Sequence, residues 1–187
     1  DTMWNSTRRM AECIAEGLRE TDPTLTVKLF NSAVDDKNDI VTEVFKSKAI
    51  LVGSPTINYG FLFSIGGIME MIRGLKFKNK KAAAFGSYGW SGEAVKQITA
   101  LLQGAGFDVV NDGLRCQWNP DQATQETCRQ YGRDFAAAVN ASEAKEDGVQ
   151  TELGDYNNDE QIGKAAKEHF EDWEKDAREG VKGGYAG

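Results

Sequence analysis

Along the first 140 residues the spacing of apolar side chains switches repeatedly between the period of a helix and that of a strand, which leaves few architectures open. Met10, Ile14 and Leu18, with Ala11 and Cys13, share one helical face behind a Ser6 or Thr7 cap and end near Asp22-Pro23. Leu25, Val27 and Leu29 then alternate with polar residues, predicting a first strand. A helix over 36–45, with Ile40, Val41, Val44 and Phe45 on one side, leads into Ala49-Ile50-Leu51-Val52, a continuous apolar run that reads as a strand buried on both faces. Further on, the pattern predicts a helix over 63–72, a strand over 82–85 and a helix over 93–102. Two strand pieces, 107–110 and 114–118, are separated by the turn signal Asn111-Asp112-Gly113, and a helix over 121–139 opens at Pro120. Regular α-β alternation of this kind predicts a doubly wound α/β fold, a parallel sheet covered by helices on both faces.

Such a sheet ordinarily begins with a strand that feeds the first ligand loop. Here the loop-like Asp1-Thr2-Met3-Trp4 comes first. In the strand order 2-1-3-4-5 the first strand is central, so the expectation is that it lies upstream of these 187 residues. Charge also divides the chain. Residues 1–140 carry 16 acidic and 16 basic side chains, whereas 141–187 carry 13 and 6, which accounts for the whole net charge of −7. The expected domains are a body over 1–140 and an acidic tail over 141–187, of unassigned role. The tail reads as a linker over 141–158 followed by an amphipathic helix over 159–179, in which Ile162, Ala166, Phe170, Trp173 and Ala177 fall at helical spacing.

Several functions are excluded by composition. An acidic chain is a poor fit to nucleic acid or an anionic membrane, and no apolar run approaches the roughly 20 residues of a membrane span. Cys13, Cys116 and Cys128 form no CxxC pair or disulfide framework, and no signal-peptide pattern opens the chain, so a reducing cytoplasm is expected. His169, in the tail, is the one histidine, which argues against a His-rich metal site or a Ser/His/Asp hydrolase.

In an open parallel sheet, ligands bind outside the carboxyl ends of the strands. Three loops at that edge are unusual. Thr2, Met3, Trp4, Asn5, Ser6 and Thr7 offer hydroxyls, an amide and backbone N–H groups at a helix start, a phosphate cradle without lysine. Neither GxGxxG nor GxxxxGK[ST] is present, so neither NAD nor a nucleoside triphosphate is favoured. The second loop, Ser54, Pro55, Thr56, Ile57, Asn58, Tyr59 and Gly60, follows the buried strand. The third, Gly86, Ser87, Tyr88, Gly89, Trp90, Ser91 and Gly92, sets two aromatics among three glycines, where backbone can approach a planar ligand. Taken singly, each has a plainer reading: Ser6 or Thr7 as a cap, and loops that shield their aromatics against a helix. Together they suit a ligand with one phosphate and a large aromatic ring.

The strings Asp1-Thr2-Met3-Trp4-Asn5-Ser6-Thr7-Arg8-Arg9-Met10-Ala11, Gly53-Ser54-Pro55-Thr56-Ile57-Asn58 and Phe85-Gly86-Ser87-Tyr88-Gly89-Trp90-Ser91-Gly92 closely resemble the flavodoxin-like domain of flavodiiron proteins, including flavorubredoxins. The resemblance covers residues 1–140. It implies a flavodoxin-like fold that binds FMN non-covalently, with Thr2 to Thr7 on the phosphate, Ser54 to Tyr59 on the ribityl chain and one side of the ring, and Ser87 to Gly92 on the other side. It further implies an oxidoreductase component that passes electrons from rubredoxin or its reductase to a di-iron centre reducing O2 or NO, usually across a head-to-tail homodimer. The family's di-iron domain and a rubredoxin module are both absent from these residues. Two rival readings stand beside it: a self-contained NAD(P)H-dependent flavoprotein reductase, and a truncated, non-catalytic interaction module. No residue is expected to act as a catalytic acid, base or nucleophile, and no metal is expected to be bound by this chain. Lys76, Lys78, Lys80 and Lys81 either steer an acidic partner or form a solvated strand entrance.

Overall fold

The computed structural model describes residues 1–146, with side chains for 1–141. The elements run α1 (Ser6–Thr21), α2 (Lys37–Lys46), β1 (Ala49–Gly53), α3 (Phe63–Arg73), β2 (Lys81–Tyr88), α4 (Glu93–Gly104), β3 (Asp108–Val109), β4 (Leu114–Gln117) and α5 (Gln122–Glu146). The expected amphipathic helix over 159–179 lies outside the described residues.

β2 is the spine of the sheet. β1 pairs with it in parallel from Ala49 opposite Lys81 to Gly53 opposite Phe85. On its other side β3 covers Lys81 and Ala82, and β4 continues from Phe85 opposite Leu114 to Tyr88 opposite Gln117, both parallel. β3 and β4 are thus one strand interrupted at the turn the sequence signalled. There Asn111 Oδ1 accepts the Gly113 N–H at 2.9 Å, and Gly113 takes φ 88, a region that favours glycine.

Strand alternation sends successive residues to opposite faces and builds two cores. Ile50, Val52, Ala82 and Ala84 pack with α2, α3 and α4 through Ile40, Val44, Ile68, Ile72, Ile98 and Leu102. Ala49, Leu51, Ala83, Phe85 and Cys116 pack with α1 and α5 through Met10, Ile14, Cys128 and Phe135. Complete burial of Ile72, Ile98 and Leu102 contributes about 1.5–3 kcal/mol each. α1 and α5 meet at two glycines: a Cβ on Gly17 would lie 2.0 Å from Arg129 O, and one on Gly132 would lie 2.2 Å from Ile14 O. Arg129 reaches Glu16 at 2.8 Å and Arg133 reaches Glu20 at 2.7 Å across that contact.

Four expectations need correction. Residues 25–29 form no strand, because no ladder partner lies beside them among the described residues; Leu25 and Val27 still pack on the Ala49–Leu51 side of the sheet, while Leu29 is exposed. β2 extends to Tyr88 rather than stopping at Phe85, since β1 and β4 flank it and Gly86 packs where a Cβ would meet Ser54 O at 2.0 Å. Neither Ser6 nor Thr7 caps α1: Asn5 does so at φ 65, with no side-chain cap bond. α5 runs to Glu146 instead of 139, continuing through a sequence of good helix formers.

Candidate functional site at the carboxyl edge of the sheet

Because every ladder is parallel, the chain leaves β1, β2 and β4 at one edge of the sheet, and the start of α1 meets the same edge. The Asp1 nitrogen donates to Gly53 O at 2.9 Å, and Thr2 N donates to Asp1 Oδ1 at 2.5 Å. Ser64 Oγ donates to Asp1 Oδ2 and itself accepts from buried Ser32 Oγ at 2.9 Å, so the first loop is tethered to α3. Thr7 Oγ1 and Ser87 Oγ are 3.0 Å apart, joining α1 to β2 inside the molecule.

Freed from capping, Ser6 and Thr7 bond to other elements, and the first turn of α1 holds no acidic residue. Its leading N–H groups lack intrahelical acceptors and face the loop with the helix's positive end. Arg8 is paired with Glu12 at 2.9 Å. Within the loop the Thr2 hydroxyl oxygen is buried without a hydrogen-bond partner. A buried hydroxyl left in this way costs about 1–3 kcal/mol, so a polar ligand atom placed there would be stabilising. Met3 and Trp4 are exposed.

The second loop is held against β2 by Ser54 N to Phe85 O at 3.2 Å and Thr56 N to Ser87 O at 2.8 Å. Ser54 Oγ accepts Leu62 N at 2.9 Å, closing the loop's base, and Thr56 Oγ1 accepts Ala94 N at 3.3 Å in the first turn of α4. Ile57 and Gly60 exchange both backbone bonds, at 3.0 and 2.8 Å, around Asn58 at φ 50 and Tyr59 at φ 60. Positive φ at both central residues is the geometry of a tight hairpin turn of type I′. Asn tolerates it and Tyr does not, yet Tyr59 stands 77 % exposed at the tip.

Ser87 and Tyr88 complete β2, so the third loop itself is Gly89, Trp90, Ser91 and Gly92. Trp90 is 91 % exposed. The expected site residues thus gather at one edge in two tiers. Thr7, Ser54, Pro55 and Ser87 are buried and bind the loops together, while Met3, Trp4, Asn5, Asn58, Tyr59 and Trp90 are exposed above them. Thr2, Ser6, Thr56, Ile57, Tyr88, Gly89, Ser91 and Gly92 are half-buried between the tiers.

A fourth turn was missed by the sequence reading. Trp118 and Asn119 follow β4 at the same edge; Trp118 N donates to Tyr88 O at 2.7 Å, and Ser6 Oγ donates to Asn119 Oδ1 at 3.0 Å. An aromatic between a strand end and Asn119-Pro120 was the available signal. Beneath it, burial pushes the Cys116 thiol up, leaving a neutral packing group. The lysine cluster lies elsewhere: Lys81 opens β2, at the opposite edge, where it pairs with Asp108, and Lys80 donates to Phe45 O at 2.9 Å. Among the described residues no group of three or more His, Cys, Asp or Glu side chains could hold a metal ion, and no helix is long and apolar enough to cross a membrane.

Comparison with known proteins gives the same fold. The flavodoxin family profile matches residues 1–132. The anaerobic nitric oxide reductase flavorubredoxin of Escherichia coli O1:K1 / APEC is 51 % identical over 136 residues, 73 % of this chain and 28 % of that protein. Rubredoxin oxygen:oxidoreductase from the anaerobe Desulfovibrio gigas superposes with a TM-score of 0.73 at 37 % identity, over 77 % of this chain and 35 % of that one. The flavodiiron protein from Giardia intestinalis gives 0.72 at 29 % identity, over 78 % and 36 %. The chain therefore spans between a quarter and two fifths of the length of these three relatives.

Proposed function

The chain belongs to the flavodoxin family, and from that premise we propose that it is the FMN-binding electron-transfer domain of a flavodiiron-type O2 or NO reductase, working in the cytoplasm. FMN supplies reversible redox chemistry between a donor and an acceptor protein.

The residues present fit that cofactor. The single observation that carries the reading is the buried, unpartnered Thr2 hydroxyl beside a helix start that has no side-chain cap bond, at an edge where Trp4, Tyr59 and Trp90 stand exposed. Thr2, Met3, Trp4, Asn5, Ser6 and Thr7 would hold the phosphate through backbone N–H groups and hydroxyls. Ser54 to Tyr59 would hold the ribityl chain and one side of the ring, and Ser87 to Gly92 the other side. No side chain of the site needs to move a proton; the chain binds, orients and shields.

The donor in this proposal is a rubredoxin-type protein or its reductase, and the acceptor is a di-iron centre outside these residues, brought close in a homo-oligomer. The names of the Escherichia coli and Desulfovibrio gigas relatives, a nitric oxide reductase flavorubredoxin and a rubredoxin oxygen:oxidoreductase, support that choice. The test is to titrate the purified chain with FMN, following quenching of flavin fluorescence, and then mix the loaded protein with reduced rubredoxin or with NADH. Saturable binding and fast bleaching by rubredoxin alone are expected. Fast bleaching by NADH would favour a self-contained reductase, and absence of FMN binding would remove the proposal.

A further inference from the structure

Among the described residues, four of the six non-glycine residues with positive φ, namely Asn5, Asn58, Tyr59 and Trp118, sit at the carboxyl edge. Strain of this kind persists where the surroundings enforce it, and it clusters at functional sites. Three of the four belong to the loops already assigned. Trp118, at φ 60, does not, and a bulky aromatic is among the least suited side chains for that conformation.

Its surroundings explain what enforces the conformation. The Trp118 N–H extends the β2–β4 ladder by one bond to Tyr88 O at 2.7 Å, and Gln117 Nε2 donates to Gly89 O at 3.0 Å. The indole then lies over Gly89, where a Cβ would come within 3.1 Å of it. Trp118 and Trp90 meet edge to face, ring centroids 5.3 Å apart at 77°. Trp90 itself is 91 % exposed, and this is the one aromatic contact it makes among the described residues. Ser6 Oγ to Asn119 Oδ1, 3.0 Å, anchors the same turn to the first loop.

We propose that Trp118 is a positioning residue that holds Trp90 in place at the mouth of the flavin site. The inference rests on the FMN reading above and deepens it. An indole as exposed as Trp90 would otherwise spread over several rotamers; the edge-to-face contact selects one, so less ordering remains to be done when the planar ring arrives. Gly89 belongs to the same device, since a Cβ there would press on the Trp118 ring and make it give by a few tenths of an ångström.

The experiment compares the unaltered chain with Trp118→Ala, Trp118→Leu, Trp118→Phe, Trp90→Ala and the Trp90→Ala/Trp118→Ala pair. Near-ultraviolet circular dichroism of the tryptophans, FMN affinity and flavin midpoint potential are read, with thermal midpoints as the folding check. Expected are about threefold to tenfold weaker FMN binding in Trp118→Ala and Trp118→Leu, a potential displaced in the same direction as in Trp90→Ala, and recovery in Trp118→Phe. In the Trp90→Ala background the second substitution should add nothing. Unchanged affinity and potential in both Trp118→Ala and Trp118→Leu, or effects fully additive with Trp90→Ala, would overturn the proposal while leaving FMN binding intact. If the unaltered chain takes no FMN, the functional reading falls and this inference with it. Should Trp118→Ala not fold, the Leu and Phe pair decides alone.

Discussion

Thr7 and Ser87 stand 80 positions apart in the chain and 3.0 Å apart in the structure, hydroxyl to hydroxyl, both buried. This bond ties the first turn of α1 to the end of β2, so the expected phosphate loop and the aromatic loop share one buried contact. Replacing one partner leaves the other buried and unsatisfied. Thr7→Val and Ser87→Ala should each lower stability by about 1–3 kcal/mol, and the double variant should cost less than the sum of the two. Urea unfolding of all four proteins measures the coupling; strict additivity would mean that the hydroxyls do not depend on each other.

Tyr59 occupies a turn position that suits glycine. Tyr59→Gly should therefore stabilise the fold by up to about 1 kcal/mol while weakening FMN, because the exposed ring at the hairpin tip is lost. Opposite signs in thermal midpoint and FMN affinity are the expected pair. A variant that is both less stable and unchanged in affinity would show that the ring serves packing alone.

Two glycines should respond to alanine in opposite directions. At Gly132 the added Cβ would lie 2.2 Å from Ile14 O and force α1 and α5 apart, costing about 1–3 kcal/mol. At Gly104, the last residue of α4, nothing lies within 4 Å, and Gly104→Ala should stabilise by about 0.4–1 kcal/mol through the unfolded chain. Denaturant midpoints of the two variants, displaced to either side of the unaltered protein, check the assignment.

The fold should weaken in alkali. Burial pushes the Cys128 thiol from its ordinary 9.0 up to about 12, and pushes the Tyr131 phenol from 10.0 up to about 12. Both groups bind their protons more tightly folded than unfolded, so the stability linked to them is complete below about pH 9 and is lost as pH rises through about 12. Tyr131→Phe forfeits the hydroxyl's bonds to Ala84 O at 3.0 Å and Asn111 Oδ1 at 2.8 Å. It should be less stable at neutral pH and yet decline less steeply between about pH 10 and 12. Equal alkaline slopes for the two proteins would count against the buried phenol.

Much of this architecture could be read from periodicity, and the exceptions share a cause. α3 and α4 begin where their apolar pattern begins, and the Asn111-Asp112-Gly113 signal does divide β3 from β4. Gly86 reads as loop because isolated glycine weakens a strand, but between two neighbours it is the residue that lets Ser54 O approach β2. Residues 25–29 alternate as a strand should, yet alternation specifies a face and not a hydrogen-bonding partner. The three loops expected to form the site were legible from composition, and the structure brings them to one edge. Trp118 was not, since its place beside Trp90 depends on β4 lying next to β2, a contact between residues about 30 positions apart.

β1 has a ladder partner on one side only among the described residues; on the other, Gly53 O accepts the Asp1 nitrogen. Ser54 N to Phe85 O and Lys81 N to Lys48 O set the alternation, so Ile50 and Val52 direct their amides at β2 while Ala49 and Leu51 direct theirs away. In deuterium exchange the strand should therefore split: slow amides at Ile50 and Val52, fast ones at Ala49 and Leu51, within a run of four consecutive apolar residues. The same uncharged row, which joins no ladder among the described residues, is a template for another extended segment, and protection appearing at Ala49 and Leu51 would report its arrival.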